Sequence, residues 1–269
     1  MMNKAGVIQM QSGPNMTENL AATERLIHAA AEQGAEVILL PECFGLMANR
    51  AQDTVQAGEA LGQGPMQDAV AACAKRVGVW VIAGTIPLHS PQDNRVYAGC
   101  TVWDSAGRLV THYHKIHLFD VSHPATYKES NTYTPGNELV VVDTPIGTVG
   151  LSVCYDLRFA DMYRALRAKG ATVFVVPSAF TDKTGAAHWE VLLRARAIEN
   201  QCYVLAANQH GMHDNGRATY GHSMIVNDWG EVIAQRASGE GALIADIDLS
   251  TLQTRRQHFP NWDHRKDLY

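Results

Sequence analysis

Short apolar runs alternate along the chain with longer stretches whose apolar residues recur every three or four positions. The short runs are typical of buried strands, and the longer stretches of helices that pack against them. Residues 15–34 predict the first helix, because Asn15 and Glu18 have the spacing of a capping box ahead of an apolar stripe. The next run, 37–40, predicts a buried strand that ends at Pro41.

The same alternation continues through the rest of the chain. Further strands are predicted at residues 5–10, 80–86, 97–103, 109–113, 139–142, 148–153, 173–176, 203–207, 223–226 and 242–247. Further helices are predicted at residues 65–76, 159–169 and 188–200. Because helices must cover the buried faces of sheets, this order predicts a layered α/β fold. Hairpin signals such as the turn at 104–107 favour mixed sheets over purely parallel ones.

Composition narrows the class of protein. The chain has 269 residues, 46% of them hydrophobic, so residues 1–269 are predicted to form a single domain with a large core. A net charge of −5 gives no sign of a nucleic-acid-binding surface or an anionic-membrane anchor. The apolar N-terminus is short and predicts a first strand, not a signal peptide. Five cysteines without a C-x-x-C pair argue against a disulfide framework, so we expect a reducing compartment, the cytoplasm.

Three short segments carry residue types suited to catalysis, each at or near the end of a predicted strand. In the first, Glu42 directly follows the strand at 37–40. Partial burial there would raise the pKa of its carboxyl group and allow it to shuttle protons. From this segment alone, a surface glutamate at a strand end is the favoured interpretation.

The second segment places Lys115 among three histidines, His112, His114 and His117. A lysine between aromatic and apolar residues can be a fixed cation that faces developing negative charge. The alternative is a strand whose polar side chains point to water. Metal binding by the histidines is a third possibility, but no cysteine or carboxylate lies beside them at a familiar zinc spacing.

The third segment contains Cys154, which ends a predicted strand shortly before a predicted helix. This strand–turn–helix placement exposes a nucleophile and points backbone N–H groups near it, as a nucleophile elbow does, although the glycines of that motif are absent. A free cysteine is more often an inert core residue, which is the interpretation we favour for Cys73 and Cys202. Cys154 differs because Asp156 and Arg158 follow at once.

Together the three segments resemble the Glu–Lys–Cys constellation of the nitrilase superfamily of carbon–nitrogen hydrolases. The matching residues are Pro41-Glu42, His114-Lys115 and Cys154-Tyr155-Asp156-Leu157-Arg158-Phe159. Residues 185–200 look like the helix after the family's nucleophile, and 220–226 look like its late strand. The resemblance implies a four-layer αββα sandwich with two mixed β-sheets flanked by helices. It also implies a homodimer or higher homo-oligomer, and neither a metal nor an organic cofactor.

Within this family, the chain is most similar to the amidases that act on deaminated glutathione. The supporting stretches are 128–131, 177–180, 201–204 and 217–223. The neighbouring branch is the ω-amidases that act on α-ketoglutaramate, which typically have glycine where Ser178 stands. An amidase or carbamoylase of other small amides is a further alternative. Departures from the family pattern fall at Ala160-Asp161, Ala186 and Asn227-Asp228, outside the three core catalytic positions.

The resemblance also implies a role for each site residue. Glu42 would take the proton of Cys154 as the thiol attacks an amide carbonyl and forms a thioester. Lys115 would favour the thiolate and, with the backbone N–H of Tyr155, would stabilise the oxyanion. Glu129 would hold Lys115 and the substrate amide in position.

The substrate pocket is expected to be lined by Tyr155, Phe180, Thr181 and Trp189. Arg217 is a candidate partner for a substrate carboxylate, although an exposed loop arginine is the favoured interpretation. There are three alternative hypotheses to this prediction. One is an inactive scaffold on the same fold, another is acyl transfer to an acceptor other than water, and the third is a histidine-based scheme. That scheme would require one of three histidines beside Cys154, namely His188, His210 or His222.

Overall fold

The computed structural model describes residues 3–123 and 126–266. In chain order the elements are β1 (Asn3–Gln9), α1 (Met16–Glu32), β2 (Val37–Leu39), α2 (Ala51–Gln56), α3 (Pro65–Val77), β3 (Trp80–His89), β4 (Val96–Trp103), β5 (Leu109–His114), β6 (Asp120–Val121), β7 (Tyr127–Lys128), β8 (Val141–Thr144), β9 (Gly147–Leu151), α4 (Ala160–Ala168), β10 (Val173–Val175), α5 (Asp182–Asn200), β11 (Tyr203–Ala206), β12 (His210–Met212), β13 (Ala218–Tyr220), β14 (Ser223–Val226), β15 (Val232–Arg236), β16 (Gly241–Ile247) and α6 (Leu249–His258). Two 3₁₀ turns, Glu129–Asn131 and Cys154–Arg158, lie between these elements.

The strands form two six-stranded sheets of similar design. The first has the order β16-β1-β2-β3-β4-β5, and the second has the order β15-β14-β11-β10-β9-β8. In each sheet three neighbouring strands run parallel, β1, β2 and β3 in one and β9, β10 and β11 in the other. The outer strands pair antiparallel. Both sheets are therefore mixed, as the hairpin signals predicted.

Alternating side chains place the two sheets between two layers of helices. In β2, Val37 and Leu39 point into the core between the sheets, while Ile38 points into the core beneath α1 and α3. This alternation follows from the two-residue period of a strand that is buried on both faces. On the other side, α4 contacts β9, and α5 contacts β11 and β14. The result is the four-layer αββα sandwich that the family resemblance implied.

Several elements differ from the sequence predictions: α2, α6, β6, β7, β12, β13 and β15 were not predicted, and α5 begins earlier than expected. Helix α5 begins at Asp182, six residues before the predicted start at 188. The prediction began too late because Gly185, a residue type with low helix propensity, lies in the first turn of the helix. In the fold Gly185 is required, since a Cβ there would lie 2.3 Å from the Cβ of Tyr220. Helix α6 was not predicted because only Leu252 of its ten residues is buried, so it lacks an apolar stripe.

Candidate active site

The candidate site forms where strands of the two sheets end near one another. Glu42 follows β2, Lys115 follows β5, and Cys154 follows β9 after two residues. Glu129 opens the 3₁₀ turn after β7. The carboxyl ends of parallel strands are the usual place for ligands in such sheets, because the chain leaves the sheet there and can turn freely. The fold thus brings together the four residues that were predicted to be catalytic.

Lys115 is the centre of this cluster. Its Nζ lies 2.9 Å from Glu42 Oε1, and 3.0 and 2.8 Å from the two carboxylate oxygens of Glu129. The side chain is only 1% exposed. Burial lowers the pKa of the ammonium, but the charges of Glu129 and Glu42 outweigh this and hold it well above its ordinary value. Lys115 is therefore a buried, charged and fully paired cation.

Glu42 uses both of its carboxylate oxygens. One accepts from Lys115, and the other accepts from the backbone N–H of Ala179 at 2.7 Å. Burial raises the pKa of this carboxyl, but the positive charges of Lys115 and Arg217 leave it below its ordinary value of 4.5. The sequence prediction of a raised pKa was wrong, because it considered desolvation and not the two cations. At neutral pH Glu42 is a carboxylate that can accept a proton.

Glu129 holds Lys115 from the side opposite Glu42. Both of its oxygens accept from the ammonium, and Oε2 also accepts from the backbone N–H of Phe119 at 2.7 Å. The two carboxylates therefore place Lys115 Nζ between them, and removal of either would leave a buried charge partly unpaired, which is costly.

Cys154 opens the 3₁₀ turn with a backbone φ of +47°, in the left-handed region that residues other than glycine seldom occupy. Its backbone N–H donates to the carbonyl of Pro177 at 3.0 Å, and the residue is 7% exposed. Burial and the charge of Glu42 raise the pKa of the thiol, and the opposing effect of Lys115 is smaller. Lys115 thus favours the thiolate, as the resemblance implied, but burial and Glu42 outweigh its effect.

Asp156 connects the turn that carries Cys154 to the segment that carries Lys115. Its fully buried carboxylate accepts from the Val153 N–H at 2.8 Å and the Tyr113 hydroxyl at 2.7 Å. It also accepts from the backbone N–H of His117 at 3.0 Å and lies 2.7 Å from that residue's Nδ1. One side chain thus fixes the distance between two catalytic segments that are distant in sequence.

Two glycines allow the backbone beneath the catalytic residues to pack closely. A Cβ on Gly84 would lie 1.9 Å from the carbonyl oxygen of Pro41, the residue before Glu42. A Cβ on Gly136 would lie 2.2 Å from the carbonyl oxygen of His114, the residue before Lys115. Both separations are far below van der Waals contact, so only glycine fits either position without moving the catalytic backbone.

An inner pocket with a cavity volume of about 10 Å³ opens beside Cys154. It is lined by Phe119, Cys154, Tyr155, Arg158, Ala179, Phe180, Thr181, Thr184 and Arg217. Phe119, Thr181 and Thr184 also line an outer pocket with a cavity volume of about 200 Å³, which Tyr127, Lys183, Gly216 and Ala218 help to form. The two pockets therefore adjoin, and the outer one widens the approach to the thiol.

The pocket contains three of the four residues that were predicted to bind substrate. Tyr155, Phe180 and Thr181 line it, but Trp189 does not. Trp189 is fully buried, its indole N–H donates to the His222 carbonyl at 2.8 Å, and its ring packs 5.0 Å from that of Phe180. It thus supports the pocket wall from behind, because α5 turns it toward the core.

The histidines considered in the sequence are placed away from the catalytic cluster or in other contacts. His112 and His114 contact each other, and His114 stacks on Tyr97 with ring centroids 3.9 Å apart, whereas His117 is bound to Asp156. His188 lies 3.3 Å from Arg158, and His222 stacks on Tyr220. Within the described residues, no group of three potential ligands is arranged to hold a metal ion.

Comparison with known proteins identifies the family. The family model described as carbon-nitrogen hydrolase matches residues 4–257. The chain belongs to the carbon–nitrogen hydrolase family. This hydrolase is 43% identical to a Yersinia enterocolitica protein named deaminated glutathione amidase, over 97% of this chain and 92% of the relative. A human protein of the same name is 42% identical, over 98% of this chain and 82% of the relative.

Solved structures give the same result for the fold. The crystal structure of the Caenorhabditis elegans NitFhit protein superposes with a TM-score of 0.94 and 39% identity. The match covers all of this chain and 66% of the nematode chain. The carbon–nitrogen hydrolase described here thus spans about two thirds of that longer protein.

Sequence reasoning did not assign several residues that shape the site. Arg217 was favoured as an exposed loop residue, yet it lines the inner pocket together with Arg158. The backbone N–H groups of Ala179 and Phe119 position the two glutamates. No sequence signal marks these donors, because any residue type supplies a backbone N–H and only the fold decides where it points.

Proposed function

We propose that this carbon–nitrogen hydrolase cleaves deaminated glutathione at its linear amide, through a thioester on Cys154. The observation that carries the proposal is the buried cluster in which Lys115 joins Glu42 and Glu129 beside a cysteine at a strand end. The relatives in Yersinia enterocolitica and human, both named deaminated glutathione amidase, support the choice of substrate.

The first step follows from the two protonation states. Glu42 is a carboxylate and Cys154 a neutral thiol at neutral pH, since the pKa of the first is lowered and that of the second is raised. Glu42 accepts the thiol proton as sulfur bonds to the amide carbon, so that a free thiolate need not form beforehand. The fixed charge of Lys115 stabilises the resulting oxyanion, together with the backbone N–H of Tyr155.

The intermediate then collapses. The carbon–nitrogen bond breaks, Glu42 returns its proton to the departing amine, and the acyl group remains on Cys154 as a thioester. Glu42 next takes a proton from water as the water attacks the thioester, and Cys154 leaves with that proton. One carboxylate thus acts as base, acid and base again. The hydrogen bonds from Ala179 and Lys115 support these roles, because each fixes one of its two oxygens.

The outer pocket favours deaminated glutathione over α-ketoglutaramate, whose leaving group is ammonia. An outer pocket of about 200 Å³ that adjoins the catalytic pocket gives room for a substituent on the amide nitrogen. A wild-type kcat/KM that is higher for α-ketoglutaramate than for deaminated glutathione would contradict this choice and favour an ω-amidase.

The test of the mechanism uses two catalytic variants and two matched controls. Cys154→Ala and Glu42→Gln should each reduce kcat on deaminated glutathione by about 10³-fold or more, because a nucleophile or its base is lost. Cys73→Ala, in helix α3, and Glu190→Gln, on the exposed face of α5, should keep wild-type turnover. Near-normal turnover by Glu42→Gln, with folding confirmed by circular dichroism, would exclude this mechanism.

We also propose a homodimer in a reducing compartment, the cytoplasm. All five cysteines are free thiols in the structure, as is usual for proteins of such compartments. Val191 and Ile198 on α5, with Trp229 and Phe259 nearby, form an exposed apolar patch that a second copy would cover. No helix of the described residues combines the length and apolar character that crossing a membrane requires.

A further inference from the structure

Arg217 lies in the turn between β12 and β13 and lines the inner pocket with Cys154. Its Nη2 donates to the carbonyl of Ala179, and its guanidinium lies 5.6 Å from the centre of the Tyr127 ring. Its Nε is buried and has no hydrogen-bond partner within residues 3–123 and 126–266. Within the described part of the chain, Arg217 also forms no ion pair with a carboxylate. Its guanidinium group therefore uses only part of its capacity to donate hydrogen bonds.

The position of Arg217 is close to the reacting groups. Ala179 accepts from Arg217 through its carbonyl and donates to Glu42 Oε2 through its N–H. Burial lowers the pKa of the guanidinium, but the neighbouring carboxylate of Glu42 keeps it above its ordinary value, so Arg217 stays charged. A buried N–H without an acceptor is costly, and the cost is removed when a bound ligand supplies an anion.

The other two cations of the site have different surroundings. Lys115 is held by two glutamates. Arg158 lies 3.3 Å from His188 through Nη1, and its guanidinium packs on the rings of Tyr155 and Phe180. Of these three cations, Arg217 is the one with a buried side-chain N–H, that of Nε, that finds no acceptor within the described residues.

We propose that Arg217 binds a carboxylate on the acyl part of the substrate and makes the enzyme select ω-amides of dicarboxylic acids over amides of neutral acids. The acyl part is assigned because Arg217 and Cys154 both line the small inner pocket, whereas neither of them lines the outer pocket. Guanidinium and carboxylate match in shape, so two parallel hydrogen bonds can form. For deaminated glutathione itself, the inference rests on the proposed function.

The test compares two amides that differ only in this carboxylate. Deaminated glutathione is paired with N-levulinyl-cysteinylglycine, in which a methyl group replaces the carboxylate beside the ketone. For Arg217→Gln, the ratio of the two kcat/KM values should fall about 10- to 100-fold, whatever happens to each value alone. Arg217→Lys should restore part of the ratio, because it returns the charge without the fork. Arg164→Gln, on the exposed side of α4, is the matched control and should keep the wild-type ratio.

If Arg217 had only a structural role, Arg217→Gln would lower kcat/KM for both substrates by the same factor and leave their ratio unchanged. That result would overturn the inference. The same two compounds, titrated by calorimetry into Cys154→Ala and into Cys154→Ala with Arg217→Gln, give the ratio of Kd values without turnover. Equal affinities for the two compounds in Cys154→Ala would also overturn it.

Failure of the proposed function gives a different pattern. If wild type does not hydrolyse deaminated glutathione, the substrate assignment is wrong. The inference is then tested with glutaramate and pentanamide, which again differ by a carboxylate in place of a methyl group. Wild type should prefer glutaramate and Arg217→Gln should lose the preference. Hydrolysis of deaminated glutathione without any preference over its levulinyl analogue would reject the inference and keep the function.

Discussion

The carboxyl of Glu42 and the thiol of Cys154 are neighbours whose pKa values move in opposite directions. Two cations lower the first below its ordinary value, while burial and the carboxylate itself raise the second. A proton therefore stays on sulfur until a substrate carbonyl gives the sulfur a bonding partner. At this scale the environment, and not the residue type, determines which group is the base.

The thiol of Cys154 should react slowly with iodoacetamide. Because its pKa lies above the ordinary 9.0, little thiolate exists near pH 8, and the alkylation rate should keep rising with pH without a plateau in that range. Glu42→Gln should speed alkylation although it abolishes turnover, since it removes a negative charge that raises the thiol pKa. Mass spectrometry of the Cys154 peptide measures the rate. A plateau below about pH 8, or slower alkylation in Glu42→Gln, would contradict this assignment.

Single residues were predicted from sequence where a strand end marked them. Glu42, Lys115 and Cys154 each follow an apolar run, and the family resemblance linked them. Their protonation states could not be predicted, because these depend on Arg217, whose position is set by a hairpin more than sixty residues after Cys154. Trp189 was assigned to the pocket from its segment alone, and only the rotation of α5 showed that it faces the core.

At the scale of elements, the 3₁₀ turn Cys154–Arg158 acts as a rigid joint. Asp156 lies within this turn. Its carboxylate accepts from the backbone N–H of Val153, just before the turn, and from the backbone N–H of His117, in the segment that follows Lys115. Between the turn and α4, the ring of Phe159 stacks on that of His117, with ring centroids 3.6 Å apart. The left-handed backbone of Cys154 is therefore held by contacts on both sides.

Asp156→Asn should lower the free energy of unfolding by about 3 kcal/mol. The new amide NH₂ group would replace one acceptor oxygen and would face buried N–H or O–H groups that now donate to the carboxylate. The substitution should also lower kcat, since the turn and the Lys115 segment lose their common anchor. Asp161→Asn is the matched control, because its carboxylate is 94% exposed and pairs only with Arg164; its unfolding free energy should change by less than about 0.5 kcal/mol. Urea denaturation measures both, and equal effects would exclude the anchoring role.

Elements with a clear apolar period were predicted well. The helix expected at 15–34 is α1, and Asn15 accepts from the N–H groups of Thr17 and Glu18, as its capping position predicted. Helices α2 and α6 were missed because α2 has no buried residue and α6 has one. Their stability therefore comes from their position in the fold and not from a local apolar pattern.

On the scale of the whole molecule, the two halves of the chain share one central core. Strands β1 and β16 contact β14 of the second sheet, and β16 also contacts β15. We therefore propose that the chain unfolds as one unit, in line with the single domain expected from its length. The layer order was predictable because each layer has its own hydrophobic period. The distance between catalytic segments was not, since it depends on how two separately formed sheets face each other.

The apolar patch on α5 predicts the oligomeric state. Val191→Glu should shift the protein from dimer to monomer in light scattering, because a charge would be buried in the interface. Met212→Glu is the control, since Met212 is 62% exposed, comparable to 69% for Val191, and lies outside the patch. A wild type that is monomeric at micromolar concentration, or a control that dissociates equally, would contradict the proposed dimer.

The close packing beneath Glu42 and Lys115 has a consequence for variation between relatives. Gly84 and Gly136 line neither the inner nor the outer pocket, yet any side chain there would displace the carbonyl of Pro41 or of His114. A library that samples every residue at every position should therefore lose activity at these two glycines as completely as at the catalytic residues. The most restricted positions of this enzyme would then include two that carry no side chain at all.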